Sequence, residues 1–329
     1  MKKKLASSNY LSGKIVEKNI YFFSSRLDAL NDGEYGHAVI SAYKDGEFFY
    51  QERSMQVESV CIRRETRDEP TRASCVLPRF NSVVGYYPKG GGAHDEKLPS
   101  PASIGGGVMG RLRQIDGLLY AAGSYGCVFQ RNAKGDWQVL DQGLNVKGIA
   151  EYRAEGYTVS ESIVLDDKAS STKTINGRQG EIFCAGNRGE IYWLKERVWS
   201  RVHSDTNANL CDIALDDKGV AYVCGWHGTL LRGDEHGFFR ITTNIDDYLK
   251  SMAFFNGELY VGGSKGLYKL VNQYLQPVRT NQSAPFNCVE LDAYDGELLV
   301  VSDRWFLVFD GAHWRRIDDP DNAEVLQRQ

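Results

Sequence analysis

With 329 residues, a quarter of them charged, a net charge of -4 and a pI near 5.9, the chain has no overall basic field to draw a phosphate backbone, so nucleic acid is not an expected partner. No stretch approaches the roughly 18 apolar residues that span a bilayer, and residues 1–10 follow three lysines with Leu5, Ala6, Ser7, Ser8 and Asn9 instead of an apolar signal core. Seven cysteines form no Cys-x-x-Cys pair, which argues against a disulfide framework or zinc knuckle and for reduced thiols in the cytoplasm.

Abundant Gly (34), Tyr (18) and Phe (14) favour strands joined by tight turns, and hence an all-β fold. Residues 37–52 read strand, Asp-Gly, strand, and residues 57–64, 73–77 and 82–87 add three more strands. Residues 1–105 are therefore expected to form two irregular blades. Strand character resumes at residues 111–114. From there one phrase recurs: LYAAGSYGCVF at 119–129, IFCAGNRGEIY at 182–192, AYVCGWHGTLL at 221–231, LYVGGSKGLYK at 259–269 and an eroded LLVVSDRWFLV at 298–308. Its leading positions, Gly123, Gly186, Gly225, Gly263 and Val301, are 63, 39, 38 and 38 residues apart. A period near 40 marks a propeller blade of four strands.

Gly-x-x-Gly joins two apolar runs, the second and third strands of a blade, through residues of positive φ. Upstream, Asp116-Gly117, Asp217-Lys218-Gly219, Asn256-Gly257 and Asp295-Gly296 close the innermost strand onto the second. Downstream, Trp137, Trp199, Phe239 and Trp314 are expected to anchor the outermost strand. The 63-residue step holds an insertion, residues 153–178, read as a long loop between first and second strands on the face opposite the Gly-x-x-Gly turns. The expectation is one propeller domain of seven blades, each of four antiparallel strands. Residues 106–320 supply five regular blades and 321–329 a tail.

Motifs for catalysis are sparse. Gly105-Gly106-Gly107-Val108-Met109-Gly110 matches a dinucleotide-binding pattern literally, but it leads into a strand where that site needs a helix. Lys89-Gly90-Gly91-Gly92 lacks the Gly-Lys-Ser/Thr of a phosphate loop. The six histidines form no metal-ligand pair, and Cys184 and Cys224 share one blade position, which makes them packing residues. No catalytic residue, metal or cofactor is assigned. The informative feature is the variable pair in each turn. Tyr125, Arg188, Trp226, His227, Lys265, Arg304 and the following Trp305 are long or aromatic where turns prefer small polar residues. In a propeller these turns ring the mouth of the central channel and would form a recognition surface.

The phrase Leu-Tyr-Ala-x-Gly-x-x-Gly-x-Val-Phe with its Gly-x-Trp outer turn resembles the YCF48/BNR-like bacterial propellers, over residues 108–320. Cys61-Ile62-Arg63 and Arg111-Leu112-Arg113-Gln114-Ile115 are also similar to propellers associated with type VI secretion and Rhs toxin loci. That resemblance implies an immunity or accessory role. The expected function is a monomeric, non-catalytic propeller that binds a protein, a toxin domain if the resemblance holds. The alternatives are a carbohydrate-active, sialidase- or glycosidase-like enzyme and a structural scaffold.

Overall fold

A two-residue primed turn demands positive φ at both residues, and the Asp-Gly and Asn-Gly pairs supply it. The angles are 49° and 87° at Asp116-Gly117, 51° and 77° at Asn256-Gly257, and 51° and 75° at Asp295-Gly296. Each hairpin joins an innermost strand to the second strand of its blade. The computed structural model describes residues 6–30, 36–80, 83–99, 108–166, 168–282 and 285–327. In it, seven sheets of four antiparallel strands make a seven-bladed propeller, as the repeat predicts. Each blade takes its strands consecutively from the chain: residues 8–53, 57–97, 109–139, 174–202, 210–240, 249–277 and 288–318 for blades 1 to 7. The Asp45-Gly46 hairpin joins the third and fourth strands of blade 1. Gly105 to Gly107 and Ser82 lie outside the described residues.

The innermost strands of neighbouring blades pack against each other all the way round, the first against the last included. The apolar core is correspondingly divided into seven layers, one between each pair of blades. Blades 1 and 7 share Tyr10, Tyr21, Phe23, Val301 and Phe306, and blades 4 and 5 share Phe183, Ile191, Ile213, Leu231 and Phe238. Burying each such side chain contributes about 1.5–3 kcal/mol, so every interblade seam is a core in its own right. Cys184 and Cys224 are fully buried in these layers, and burial pushes their thiols well above the ordinary range. They pack, as their shared position suggests.

Closure of the ring depends on polar contacts near the carboxy terminus. The hydroxyls of Tyr10 and Tyr50 donate to Asp319 at 2.7 and 2.8 Å. Buried Asn322 accepts the Ser8 N–H at 2.8 Å and donates to the Arg304 carbonyl at 2.9 Å. Residues read as a tail thus begin with a clasp, followed by a short helix, Ala323–Leu326.

Three details differ from the sequence reading. The leading position of the fifth copy is Ser302, not Val301, because Ser302 pairs with Cys288 as Gly263 pairs with Leu249. In blade 5 the buried outer aromatic is Phe238, while Phe239 is exposed. The third concerns the insertion. It follows the outermost strand of blade 3 and carries two short helices, α1 (Ile149–Ala154) and α2 (Val159–Asp166), before the innermost strand of blade 4 begins at Thr174. An outer-to-inner connection runs over the same face as the turn between second and third strands. Accordingly Gly126 N–H donates to the Ser170 carbonyl at 2.7 Å, and the Thr172 hydroxyl to that of Gly123 at 2.7 Å. The insertion sits beside the Gly-x-x-Gly turns, not opposite them.

Candidate functional site

Six of the seven innermost strands carry a β-bulge near their amino-terminal end, at the same place in each. The register steps over Leu11, Glu58, Gly110, Cys211, Lys250 and Val289. Lys173 precedes the fourth innermost strand at the equivalent position. A bulge bends its strand and re-aims a side chain. These seven positions together line one cavity of about 380 Å3 at the entrance to the central channel. Asn187, Asn209, Trp226 and Tyr248 also line it, which puts the cavity on the face of the Gly-x-x-Gly turns.

After five of the six bulges, the next residue accepts a backbone N–H from the neighbouring blade and ties the ring together. Ser12 accepts the Val60 N–H at 3.0 Å, Ser59 that of Leu112 at 3.2 Å, and Asp212 that of Met252 at 2.9 Å. Ser251 accepts from Leu291 at 3.0 Å and Glu290 from Gly13 at 3.0 Å. Each bond crosses from one blade to the next and satisfies a buried N–H of an innermost strand.

Charge in the channel follows from the same positions. Glu290, 2% exposed, accepts from the Ser12 hydroxyl, from Lys14 Nζ at 2.6 Å and from Arg111 at 2.6 Å. Burial opposes its ionisation, but Lys14 and Arg111 outweigh that and hold the carboxyl below its ordinary range. Asp212 is likewise opposed by burial and held low by Arg113, at 2.5 Å, and Arg111. Glu58 is different: burial raises it above the ordinary carboxylate value, only partly countered by Arg79 at 3.6 Å. Burial also lowers the Lys250 ammonium.

The expected recognition residues fall into three groups. Trp226 and His227 are exposed on the turn of blade 5, and the Trp226 ring meets Tyr248 edge-on at 5.5 Å. Tyr125 is half-buried on the turn of blade 3, and Lys265, exposed, donates to the Asp246 carbonyl at 2.6 Å. Arg188 is held by Glu190 at 2.8 Å and by the Ala169 carbonyl of the insertion at 3.0 Å. Arg304 reaches Asp28 at 2.6 Å and the Ser8 carbonyl at 3.2 Å, beside the ring closure. Trp305 is buried at 6% exposure between blades 6 and 7, under Phe286 and the Arg316 guanidinium, so it presents no surface to a partner. The channel cavity brings in Trp226 from this set, and sequence reasoning passed over Lys173, Tyr248 and Lys250 beside it.

The turns are rigid because glycine lets the backbones touch. A Cβ at Gly225 would strike the Asn209 carbonyl, and one at Gly228, where φ is 63°, the Ile245 carbonyl. Trp226 N–H donates to Asn209 at 3.0 Å and Gly228 N–H to the Asp247 carbonyl at 2.7 Å. Among the described residues no cluster of three or more His, Cys, Asp or Glu could hold a metal ion, and no helix is long and apolar enough to cross a membrane.

No protein-family model matches the chain. Among characterised proteins, it is 29% identical over 313 residues to the immune protein Tsi7 of Pseudomonas aeruginosa, covering 94% of this chain and 96% of that one. Among solved structures, streptogramin B lyase superposes with a TM-score of 0.63 at 14% identity, over 92% of this chain and 93% of the lyase. YCF48 bound to D1 peptide gives 0.60 at 11% identity, over 97% and 95%. These two structural likenesses speak to the propeller fold alone.

Proposed function

We propose that this chain is an immunity protein: it binds a toxin protein on the turn face of the propeller and thereby neutralises it. The observation that carries the reading is the 29% identity to an immune protein, spread over nearly the full length of both chains. The fold suits the task. Turns pinned by backbone contacts between blades present a platform that is already ordered, which keeps the entropic cost of association low. Trp226 and Tyr248 are the apolar anchors, with His227, Tyr125 and Lys265 around them. The setting that fits is a bacterial cytoplasm in which a type VI secretion toxin must be held inactive, with the propeller acting as a monomer and without catalysis of its own.

The hydrolase reading needs two carboxyls whose pKa values are pushed apart in one cavity, and Glu58 and Glu290 meet that description. Glu290 nevertheless already accepts from Ser12, Gly13, Lys14 and Arg111. A carboxylate saturated in this way has no lone pair left for a sugar or a water, which favours binding over turnover.

The test is affinity purification from the native host, identification of the retained protein by mass spectrometry, and growth assays with that protein expressed alone or with the propeller. The reading expects a toxic partner that the wild type neutralises. It also expects Trp226→Ala, which removes a 42% exposed ring, to fold normally and bind at least about 2 kcal/mol more weakly. A retained protein that is harmless on its own would overturn the immunity role.

A further inference from the structure

We propose that the channel mouth is a socket for a carboxylate of the toxin: an Asp or Glu side chain, projecting from an otherwise apolar loop, enters the cavity toward Lys173 and Lys250 while its apolar neighbour lies on Trp226 and Tyr248. The inference rests on the immunity reading and adds the chemistry of the group that the site receives.

The first support is the balance of charge. Arg79, Arg111, Lys173 and Lys250 line the cavity against two carboxylates, Glu58 and Glu290. Arg111 is committed to Glu290 at 2.6 Å, and Arg79 faces Glu58 at 3.6 Å. Among the described residues, Lys173 and Lys250 form no ion pair with a carboxylate, although Lys250 donates to the neutral Asn287 side chain. Both lysines thus line a partly enclosed space without a carboxylate in ion-pair contact, although Glu58 lies close enough to feel Lys173, and Asp247 and Asp303 close enough to feel Lys250. Burial already disfavours the charged form of Lys250, and an incoming carboxylate would reverse that.

The second support is shape. About 380 Å3 lies at the small end of the range for ligand sites and accommodates one or two side chains, not an extended chain. The third is the rim. Trp226 and Tyr248 are 42% and 41% exposed and meet at 5.5 Å, forming an apolar lip beside the cations, and Lys250 Nζ lies 5.1 Å from the Tyr248 ring. A free inorganic anion would gain nothing from this lip, whereas an acidic residue with an apolar neighbour uses both parts. The two lysines also come from different blades, Lys250 at a bulge of blade 6 and Lys173 at the loop end before blade 4, and neither makes one of the interblade bonds that hold the ring.

The experiment titrates the propeller with two peptides, Ac-Ala-Glu-Leu-Ala-NH2 and its Gln counterpart, and with inorganic phosphate, following tryptophan fluorescence at about 20 and 300 mM salt. The expected result is saturable binding of the Glu peptide, at least about tenfold tighter than the Gln peptide and weakened by salt. The Lys173→Gln/Lys250→Gln variant should lose the discrimination while its thermal unfolding stays within a few degrees of the wild type. Equal binding of the two peptides, no binding of either, or preference for phosphate overturns the socket. Each of these results leaves the immunity reading to be judged separately, by the growth assay above. A toxin neutralised equally well by the double variant would likewise overturn the socket and leave that reading standing.

Discussion

Glu290→Gln tests whether the channel charges hold the ring together. The substitution preserves shape but removes the negative charge that faces Lys14 Nζ and Arg111, both at 2.6 Å, in a site only 2% exposed. Breaking a buried pair from one side costs about 3–5 kcal/mol, because the remaining charge is left without compensation. The new amide nitrogen would also point donors at donors: in place of Oε2 it removes the acceptor of both Gly13 N–H and the Ser12 hydroxyl, and in place of Oε1 it faces Lys14 and Arg111. Since these groups form one network, the losses overlap, and about 3–5 kcal/mol is the expected total. Urea unfolding at pH 7 should be followed by circular dichroism and tryptophan fluorescence, with coincident curves required before a free energy is read. Lys14→Met should cost a comparable amount alone. The double variant should cost less than the two together by at least about 1 kcal/mol, because it buries no orphan on either side of that pair. A loss under about 1 kcal/mol for Glu290→Gln, or strict additivity, would refute the claim that this network secures the seam between blades 7 and 1.

Acid should act through the same groups. Asp212 and Glu290 are held below their ordinary values of 3.8 and 4.5, so their stabilisation is complete above those values and is lost as pH falls through the lower folded values. Glu58, raised by burial, has the opposite sign: above about 4.5 its ionisation costs stability, so the pH profile of the urea midpoint should show a small gain on acidification before the main fall. Asn322→Ala removes the acceptor of the Ser8 N–H and should cost about 1–3 kcal/mol, with faster amide exchange along the first strand as its signature. Gly228→Ala should destabilise more than Gly257→Ala in thermal melts. Both have positive φ, 63° and 77°, but only at Gly228 would the new methyl run into a neighbouring carbonyl.

What the sequence discloses is what a single strand or hairpin determines. Asp-Gly and Asn-Gly pairs, the apolar runs and the 38 or 39 residue step are local, and the hairpins and blade count follow from them. The sequence points the insertion to the wrong connection because the repeated phrase begins at the second strand. Nothing in residues 140–180 says whether the extra chain precedes or follows the first strand. Gly177 interrupts the apolar pattern of the short strand Thr174–Arg178, which hides it further. Trp305 reads as a turn residue for a related reason. The turn of the last blade lacks both glycines, and the chain re-enters the sheet at Trp305 itself, so that ring points into the seam.

The bulge ring is not legible in the sequence because a bulge is a relation between two strands. One residue is skipped in the pairing, and the skipped residue carries no mark of its own. Yet Cys211, Lys250 and Val289 are spaced by 39 residues, the period of the fold. Placed in register, the seven positions read Leu, Glu, Gly, Lys, Cys, Lys and Val, as varied as the next positions are constrained. Those next positions, Ser12, Ser59, Asp212, Ser251 and Glu290, must each offer an acceptor to the following blade. In blades 1, 2, 5 and 6 two adjacent residues thus divide the work, one securing the ring and the other facing the channel mouth, whereas Glu290 of blade 7 does both and Gly110 of blade 3 is fixed by its close approach to the Lys173 carbonyl. At Leu11, Glu58, Cys211 and Lys250 the side chain that faces the channel mouth can therefore be altered while its neighbour keeps the propeller closed.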